Sequence, residues 1–201
     1  MKNSAFLAAA ALFTLFVAFP LHAQMDMAFG VSTLSNLSSS SAPQFVFGPQ
    51  DLNGGAYLSF SGNAIFIKKQ FGIGGEISWR ASQAIYAGYQ PYRPIFWDFN
   101  GVWVPKMGQR AAGEFQAGIG AESVRFYNNY YTCDFISCTN YDTRTHFLGH
   151  FSAGIRFYPV GNMFIRPEAH FYLVNNNEEF TSGKFVRYGV SIGYTFGGER
   201  Y

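Results

Sequence analysis

Residues 187–196, RYGVSIGYTF, alternate without a slip. In an extended chain successive side chains point to opposite faces. Tyr188, Val190, Ile192, Tyr194 and Phe196 therefore form one apolar face, and Arg187, Gly189, Ser191, Gly193 and Thr195 form a small or polar one. Upstream the same division recurs. Ile165, Ala169, Phe171 and Leu173 oppose Arg166, Glu168, His170 and Tyr172, and Phe147, Phe151, Ile155 and Phe157 oppose His146, His150, Ser152 and Arg156. Phe115, Ala117, Ile119 and Ala121 oppose Glu114, Gln116, Gly118, Gly120 and Glu122, while Ile95, Trp97, Phe99 and Trp103 oppose Asp98 and Asn100. Phe71, Ile73, Ile77 and Trp79 stand against Gly72, Gly74, Glu76, Ser78 and Arg80. Leu58, Phe60 and Phe66 against Ser59, Ser61 and Asn63, and Met25, Met27, Phe29 and Val31 against Asp26, Gly30 and Ser32, complete eight stretches of period 2. That period predicts an all-β chain.

The connections alternate in length. Residues 34–54, 82–93, 127–144 and 175–183 are long, and 67–70, 105–110 and 159–162 are short. Long loops at one end and short turns at the other describe an antiparallel up-and-down barrel of eight strands, with both termini at the short-turn end because the strand number is even. Composition decides which face points out. Only 13% of the 201 residues are charged, 19% are aromatic and 22 are Gly, whereas a soluble domain carries about 25% charged residues. A soluble eight-stranded barrel would turn its apolar faces inward and solvate itself with the glycine-rich faces, which hold too few charges for that task. The apolar faces are therefore expected to meet lipid, with Trp79, Trp97, Trp103, Tyr188 and Tyr194 as candidate girdle residues, and the polar faces to line a narrow interior.

Lys2, an apolar run over residues 5–19, Pro20 and the small-residue end Leu21-His22-Ala23 predict a secretory leader over residues 1–23. Cleavage is expected between Ala23 and Gln24, leaving one barrel domain over 24–201. The run falls short of the roughly 20 residues of a spanning helix, and nothing after Gln24 approaches that length, so this chain can cross a membrane only as a closed barrel. The formal charge is +2 with Lys2 counted, and no basic cluster is present for a nucleic acid to use.

At the carboxyl end, Arg187-x-Gly189-x-x-Ile192-x-Tyr194, continuing to Phe196, resembles the terminal-strand signal read by the barrel-insertion machinery; Gly197-Gly198-Glu199-Arg200-Tyr201 follows where the usual signal closes on its aromatic residue. Residues 24–201 as a whole resemble the small eight-stranded transmembrane barrels of the OmpA and OmpX type, grouped as the outer membrane protein β-barrel domain family. The resemblance implies an outer membrane of the Gram-negative type, insertion from the periplasm, a side-chain-filled interior, and roles that range from anchoring to surface adhesion. Both termini are expected in the periplasm, and the chain is read as a monomer among outer-membrane lipid, with no cofactor and no nucleic-acid partner.

The inward faces carry Asp26, Glu76, Asp98, Glu114, Glu122 and Glu168 beside Arg80, Arg156, Arg166 and Arg187. Unpaired charges in so narrow a space cost several kcal/mol each, so a paired polar plug is expected, with a gated ion path as the alternative. Glu168 is expected opposite or diagonal to Arg156, within reach of a two-oxygen contact. Pro167 has no N–H and a barrel has no edge strand, so a bulge near the adjacent turn is expected there. His150-x-Ser152 beside Glu168 resembles the His-x-Ser pair of the outer-membrane lipid A deacylases, but both residues fall on the inward face, away from lipid, and no catalytic residue is assigned. His146, His150 and His170 match no metal-ligand spacing, and no metal site is assigned. Cys133 and Cys138, in an exported chain, read as a disulfide ahead of a metal pair or free thiols. Around them Tyr127, Tyr130, Tyr131, Phe135 and Tyr141 stand among Asn and Thr, residue types that suit adaptable recognition. The expected function is a non-enzymatic outer-membrane scaffold that presents its loops for surface interaction or envelope structure, with the extracellular ligand unknown; a narrow channel and a lipid A-modifying enzyme are the alternatives.

Overall fold

A computed structural model describes residues 23–37, 50–133, 138–175 and 179–197. Residues 1–22 of the leader, Phe135 and residues 198–201 lie outside the described residues. Nine strands run in chain order: β1 (Gln24–Asn36), β2 (Ala56–Ile67), β3 (Phe71–Arg80), β4 (Ala84–Tyr86), β5 (Gln90–Trp103), β6 (Ala111–Cys133), β7 (Cys138–Val160), β8 (Met163–Val174) and β9 (Lys184–Phe196). All but β4 form a ring in the order β3-β2-β1-β9-β8-β7-β6-β5, sealed by β3 pairing with β5. Every pairing is antiparallel, and β1 meets β9 from Met25↔Phe196 to Asn36↔Phe185 without a shift. The eight stretches of period 2 are the eight ring strands.

Side-chain parity sorts the faces as alternation requires. Phe99 and Ile119 are 68% and 60% exposed, whereas Asp98, Glu114 and Gln116 on the neighbouring positions are buried. From Phe147 to Phe157 an outward run on β7 rises ~34 Å at about 3.4 Å per residue, or ~26 Å across a sheet tilted by roughly 40°. That matches the height of a lipid-facing band. Inward glycines allow the strands to close tightly. A Cβ on Gly120 would lie 1.9 Å from the carbonyl oxygen of Trp97 on β5, a contact that only glycine avoids.

Two of the long connections expected from sequence are mostly strand. Residues 82–93 contain β4, which adds to the exposed edge of β5 past the end of β3, with Ala84↔Tyr92 to Tyr86↔Gln90 paired. Three residues are too few to show a period. Residues 127–144 are largely a two-stranded ribbon, the extension of β6 and β7 out to a bonded Cys133–Cys138 pair. Its cross-strand pairs include Tyr127↔Tyr141, Thr132↔Thr139 and Cys133↔Cys138, so no apolar alternation marked it. Pro167 lies within β8, and the irregularity expected near the adjacent turn falls on the partner strand, beside Gly161-Asn162. The β7–β8 ladder skips from Gly154↔Glu168 to Phe157↔Ile165 in unchanged register, and the shift comes later, between Phe157 and Val160. The proline's missing N–H is accommodated by a gap in one ladder, while pairing with β9 runs on through Pro167↔Val190.

Inside the ring the core is layered. Leu34, Tyr57, Phe96, Leu148, Tyr172 and Phe185 belong to an apolar cluster at the long-loop end, and Ile65, Val102, Val104, Tyr158 and Phe164 to a second one at the end bearing the short turns. The polar network lies between them. The expectation of a small or polar inward face thus holds for the middle of the barrel, while toward both ends apolar residues join polar ones such as Thr195 and Glu122.

Candidate functional site

Glu114 is the hub of the buried network. Gly154 faces Glu168 and Phe157 faces Ile165, which sets Arg156 and Arg166 side by side. Two adjacent guanidinium groups require a shared anion, and Glu114 supplies it: Oε2 accepts from Arg156 Nε, and Oε1 accepts from Arg166 Nη1 at 2.5 Å. Asp26 reaches from β1 to take Arg156 Nη1 at 2.5 Å. Arg166 is completed by Glu168 Oε2 at 2.6 Å from its Nε, with Ser191 Oγ at 3.0 Å from Nε and Ser61 Oγ at 3.2 Å from Nη2. Glu168 therefore meets Arg166, its neighbour on the same face of β8, and not Arg156, whose donors go to Glu114 and Asp26. The directions available to a carboxylate, rather than its row, decide the partner.

The chain of contacts continues around the ring. Arg187 Nη2 donates to Glu76 Oε1. His170 Nε2 lies 3.5 Å from Glu168, and its Nδ1 is 3.0 Å from His150 Nε2, with the two rings stacked at 5.2 Å. His150 Nδ1 is 2.8 Å from Asn100 Oδ1, and Asn100 Nδ2 donates to Asp98 at 2.5 Å and to Gln116 at 3.1 Å. Gln116 then donates back to Glu114, which also accepts from Asn63 Nδ2 at 3.3 Å. Each of the eight ring strands contributes at least one member. Both ring nitrogens of His150 are engaged with Asn100 and His170, so it has none to offer Ser152 as a base. Glu76, Glu168 and His170 bring ligand atoms within 4.8 Å of one another, the geometry of a metal trio. Arg187 and Arg166 already supply the cations for those carboxylates.

The remaining candidates lie nearer the long-loop end. Arg80 hydrogen-bonds Tyr92 within the apolar cluster, apart from the hub, and Glu122 is buried on the inward face of β6. His146 pairs with Glu179 at 2.8 Å. Above them β4 leans on the cluster: the Tyr86 ring lies 5.3 Å from Phe126 and 6.1 Å from Phe180, and its hydroxyl donates to the Glu179 carbonyl at 2.9 Å. Burial and the nearby Glu179 carboxylate raise the Tyr86 phenol above its ordinary value. At the opposite end the Arg156 guanidinium sits 4.8 Å over the Phe164 ring, closing the network from below. Sequence reasoning missed both apolar ends. The signal was present, since Phe96, Leu148 and Phe185 share the inward parity of Asp98, His150 and Arg187.

No protein-family model and no curated protein matches this sequence. Solved structures do. Neisserial surface protein A superposes with a TM-score of 0.61 at 5% identity, covering 87% of this chain and 97% of that one. The N-terminal β-barrel domain of Pseudomonas aeruginosa OprF gives 0.53 at 11% identity, covering 87% and 98%. Ail, the attachment invasion locus protein of Yersinia pestis, in complex with the heparin analogue sucrose octasulfate, gives 0.52 at 11% identity, covering 87% and 97%. The fold is that of the small eight-stranded outer-membrane barrels. At these identities the likeness is one of strand order and ring closure.

On this outer-membrane barrel fold the ribbon of β6 and β7 extends past the ring of strands. Its register jumps from Tyr127↔Tyr141 to Thr132↔Thr139, so residues 128–131 crowd opposite Asn140. Tyr130 and Tyr131 are pushed out to 66% and 70% exposure. Lower down the ribbon is held by Asn128 Nδ2 donating to Asp142 at 3.1 Å, the Tyr127 and Tyr141 rings at 6.0 Å, and the Ser123 and Thr145 hydroxyls at 3.2 Å. Residues 187, 189, 192, 194 and 196 of the terminal-strand pattern divide by parity: Arg187 and Gly189 face inward, and Ile192, Tyr194 and Phe196 face out.

Proposed function

We propose that this chain is an integral outer-membrane protein with a closed barrel that acts as a non-enzymatic scaffold, presenting its long-loop end outside the cell. In this reading residues 1–23 are removed, both termini lie in the periplasm, and Ile192, Tyr194 and Phe196 serve the insertion machinery. The observation that carries it is the filled interior. Arg156, Arg166 and Arg187 are each tied to a carboxylate, and apolar side chains seal the network at both ends. A permanent water path has no room, and among the described residues no nucleophile with a free base faces the lipid. The exposed tyrosines of the ribbon then supply the surface for contact. Two of the similar barrels are named for surface roles, one as an attachment invasion locus protein and one as a surface protein, which favours the same class of role here.

Fractionation with a heat-dependent gel shift, followed by planar-bilayer recording of the purified protein, tests the reading. The expected result is a heat-shifted band in the outer membrane and no stable large conductance. Recovery in the soluble periplasm, or steady porin-like openings, would refute it.

A further inference from the structure

We propose that the outward face of β5 and β6, just past the lipid-facing band at the long-loop end, binds the phosphorylated sugar headgroup of an outer-leaflet glycolipid through Arg93 and Arg125. These two residues are direct cross-strand partners. Arg93 shares parity with Ile95, Trp97 and Phe99, and Arg125 with Phe115 and Ile119, so both leave the barrel on its outer side. Like charges placed directly opposite destabilise a sheet unless an anion lies between them. The protein provides none: among the described residues neither arginine has an ion pair with a carboxylate, and Glu122 and Asp142, the nearby acids in sequence, have the inward parity. Arg93 Nε is buried without a hydrogen-bond partner, and Arg125 lies with its Cζ 4.9 Å over the Tyr141 ring, a stacking that leaves its N–H edge open.

Height and neighbours identify the occupant. Arg93 stands two residues beyond Ile95, or ~5 Å along the barrel axis, and the headgroup layer on each side of the hydrocarbon is roughly 5–8 Å thick. The arginines therefore lie at the depth of lipid phosphates. Below them Trp97 and Phe147 face the acyl chains. Above them is a groove of about 410 Å³ where Tyr89, Tyr127, Asn129 and Tyr130 offer phenols and an amide that suit hydroxyl-rich sugar, while Gln90 and Asn128 on its inner side are bonded to each other. Hydrocarbon, then cation, then amide and phenol is the order of acyl chain, phosphate and sugar in a phosphorylated glycolipid. A glycerophospholipid would satisfy the arginines and leave the groove unused. The inference rests on the long-loop end facing the outer leaflet, as proposed above.

The test uses the full mature chain refolded in detergent micelles, with native mass spectrometry to count bound lipid. Hexa-acylated bisphosphorylated lipid A is the probe, and phosphatidylglycerol and inorganic phosphate are the competitors. One lipid A per barrel is expected, held at least tenfold more tightly than phosphatidylglycerol and undisturbed by excess inorganic phosphate. The double variant Arg93→Gln/Arg125→Gln, heat-shifted as before, should weaken lipid A binding at least tenfold. Should the double variant not fold, each single substitution carries the same expectation at threefold or more. Unchanged lipid A binding in these variants would overturn the proposal; equal binding of phosphatidylglycerol would overturn the glycolipid class, and displacement by inorganic phosphate the lipid source. Because binding is read in micelles, its failure is distinct from a failure to find the chain in the outer membrane.

Discussion

Replacing Glu114 with Gln removes one negative charge from between two buried guanidinium groups while keeping the volume. Arg156 retains Asp26 and Arg166 retains Glu168, so neither cation is stranded, but the side-by-side pair loses the anion that screens one from the other. Breaking a buried pair by removing one partner costs about 3–5 kcal/mol. Because each arginine keeps a second acid, the loss for Glu114→Gln should fall at the lower end, about 3 kcal/mol. For Glu168→Gln it should be smaller, since Arg166 then still holds Glu114, Ser191 and Ser61. Urea unfolding in lipid vesicles, with the heat-shifted band as the measure of folded protein, reads both. The double variant Glu114→Gln/Arg156→Gln removes one charge of each sign and should recover part of the loss, a non-additivity of 1 kcal/mol or more. An unchanged midpoint in Glu114→Gln, or strict additivity in the double variant, would refute the hub role.

The turn between β2 and β3 holds Lys68 and Lys69 at φ of 50° and 55°, closed by the Gln70 N–H donating to the Ile67 carbonyl at 3.0 Å. Asn-Gly suits this left-handed pair far better, so Lys68→Asn/Lys69→Gly should raise the thermal midpoint, with a gain of about 1–2 kcal/mol; a lower midpoint would show that the lysines make compensating contacts. The Cys133–Cys138 bond closes a short ring at the tip of the ribbon, and loop entropy assigns it about 2 kcal/mol. That contribution should be local: Cys133→Ser should increase protease cutting within the ribbon while the heat-dependent gel shift persists, and loss of the folded band would show instead that the bond holds the barrel.

Strand parity was fully legible. Residues such as Phe99, Ile119 and Ile192 are large, apolar and two apart, and lipid on one side leaves them only one direction to point. Pairing within the interior was less so. Parity and row place Glu168 near both Arg156 and Arg166, and which of them it meets depends on the bonds the others have already made. The apolar ends escaped notice for a different reason. Phe96 and Tyr172, stacked at 5.1 Å, lie on the face that carries charge in mid-strand, so a two-class reading assigned the whole face by its middle. β4 and the ribbon are held by edge pairing and aromatic contacts between residues distant in sequence, which leave no local period. Arg93 fell within a stretch expected to be a connection, and only the cross-strand register sets it opposite Arg125.

The ring of polar contacts has a consequence for how the sheet finds its alignment. A slip of one residue between two strands turns lipid-facing side chains inward, and hydrophobicity alone forbids it. A slip of two keeps every face correct, and the outer surface would tolerate it almost unchanged. What changes is the interior: sliding β1 by two residues moves Asp26 by ~7 Å along its strand, beyond reach of Arg156. With members drawn from all eight ring strands, the network distinguishes the native alignment from slipped barrels that the lipid could not tell apart, and it is complete only once β1 and β9 have met.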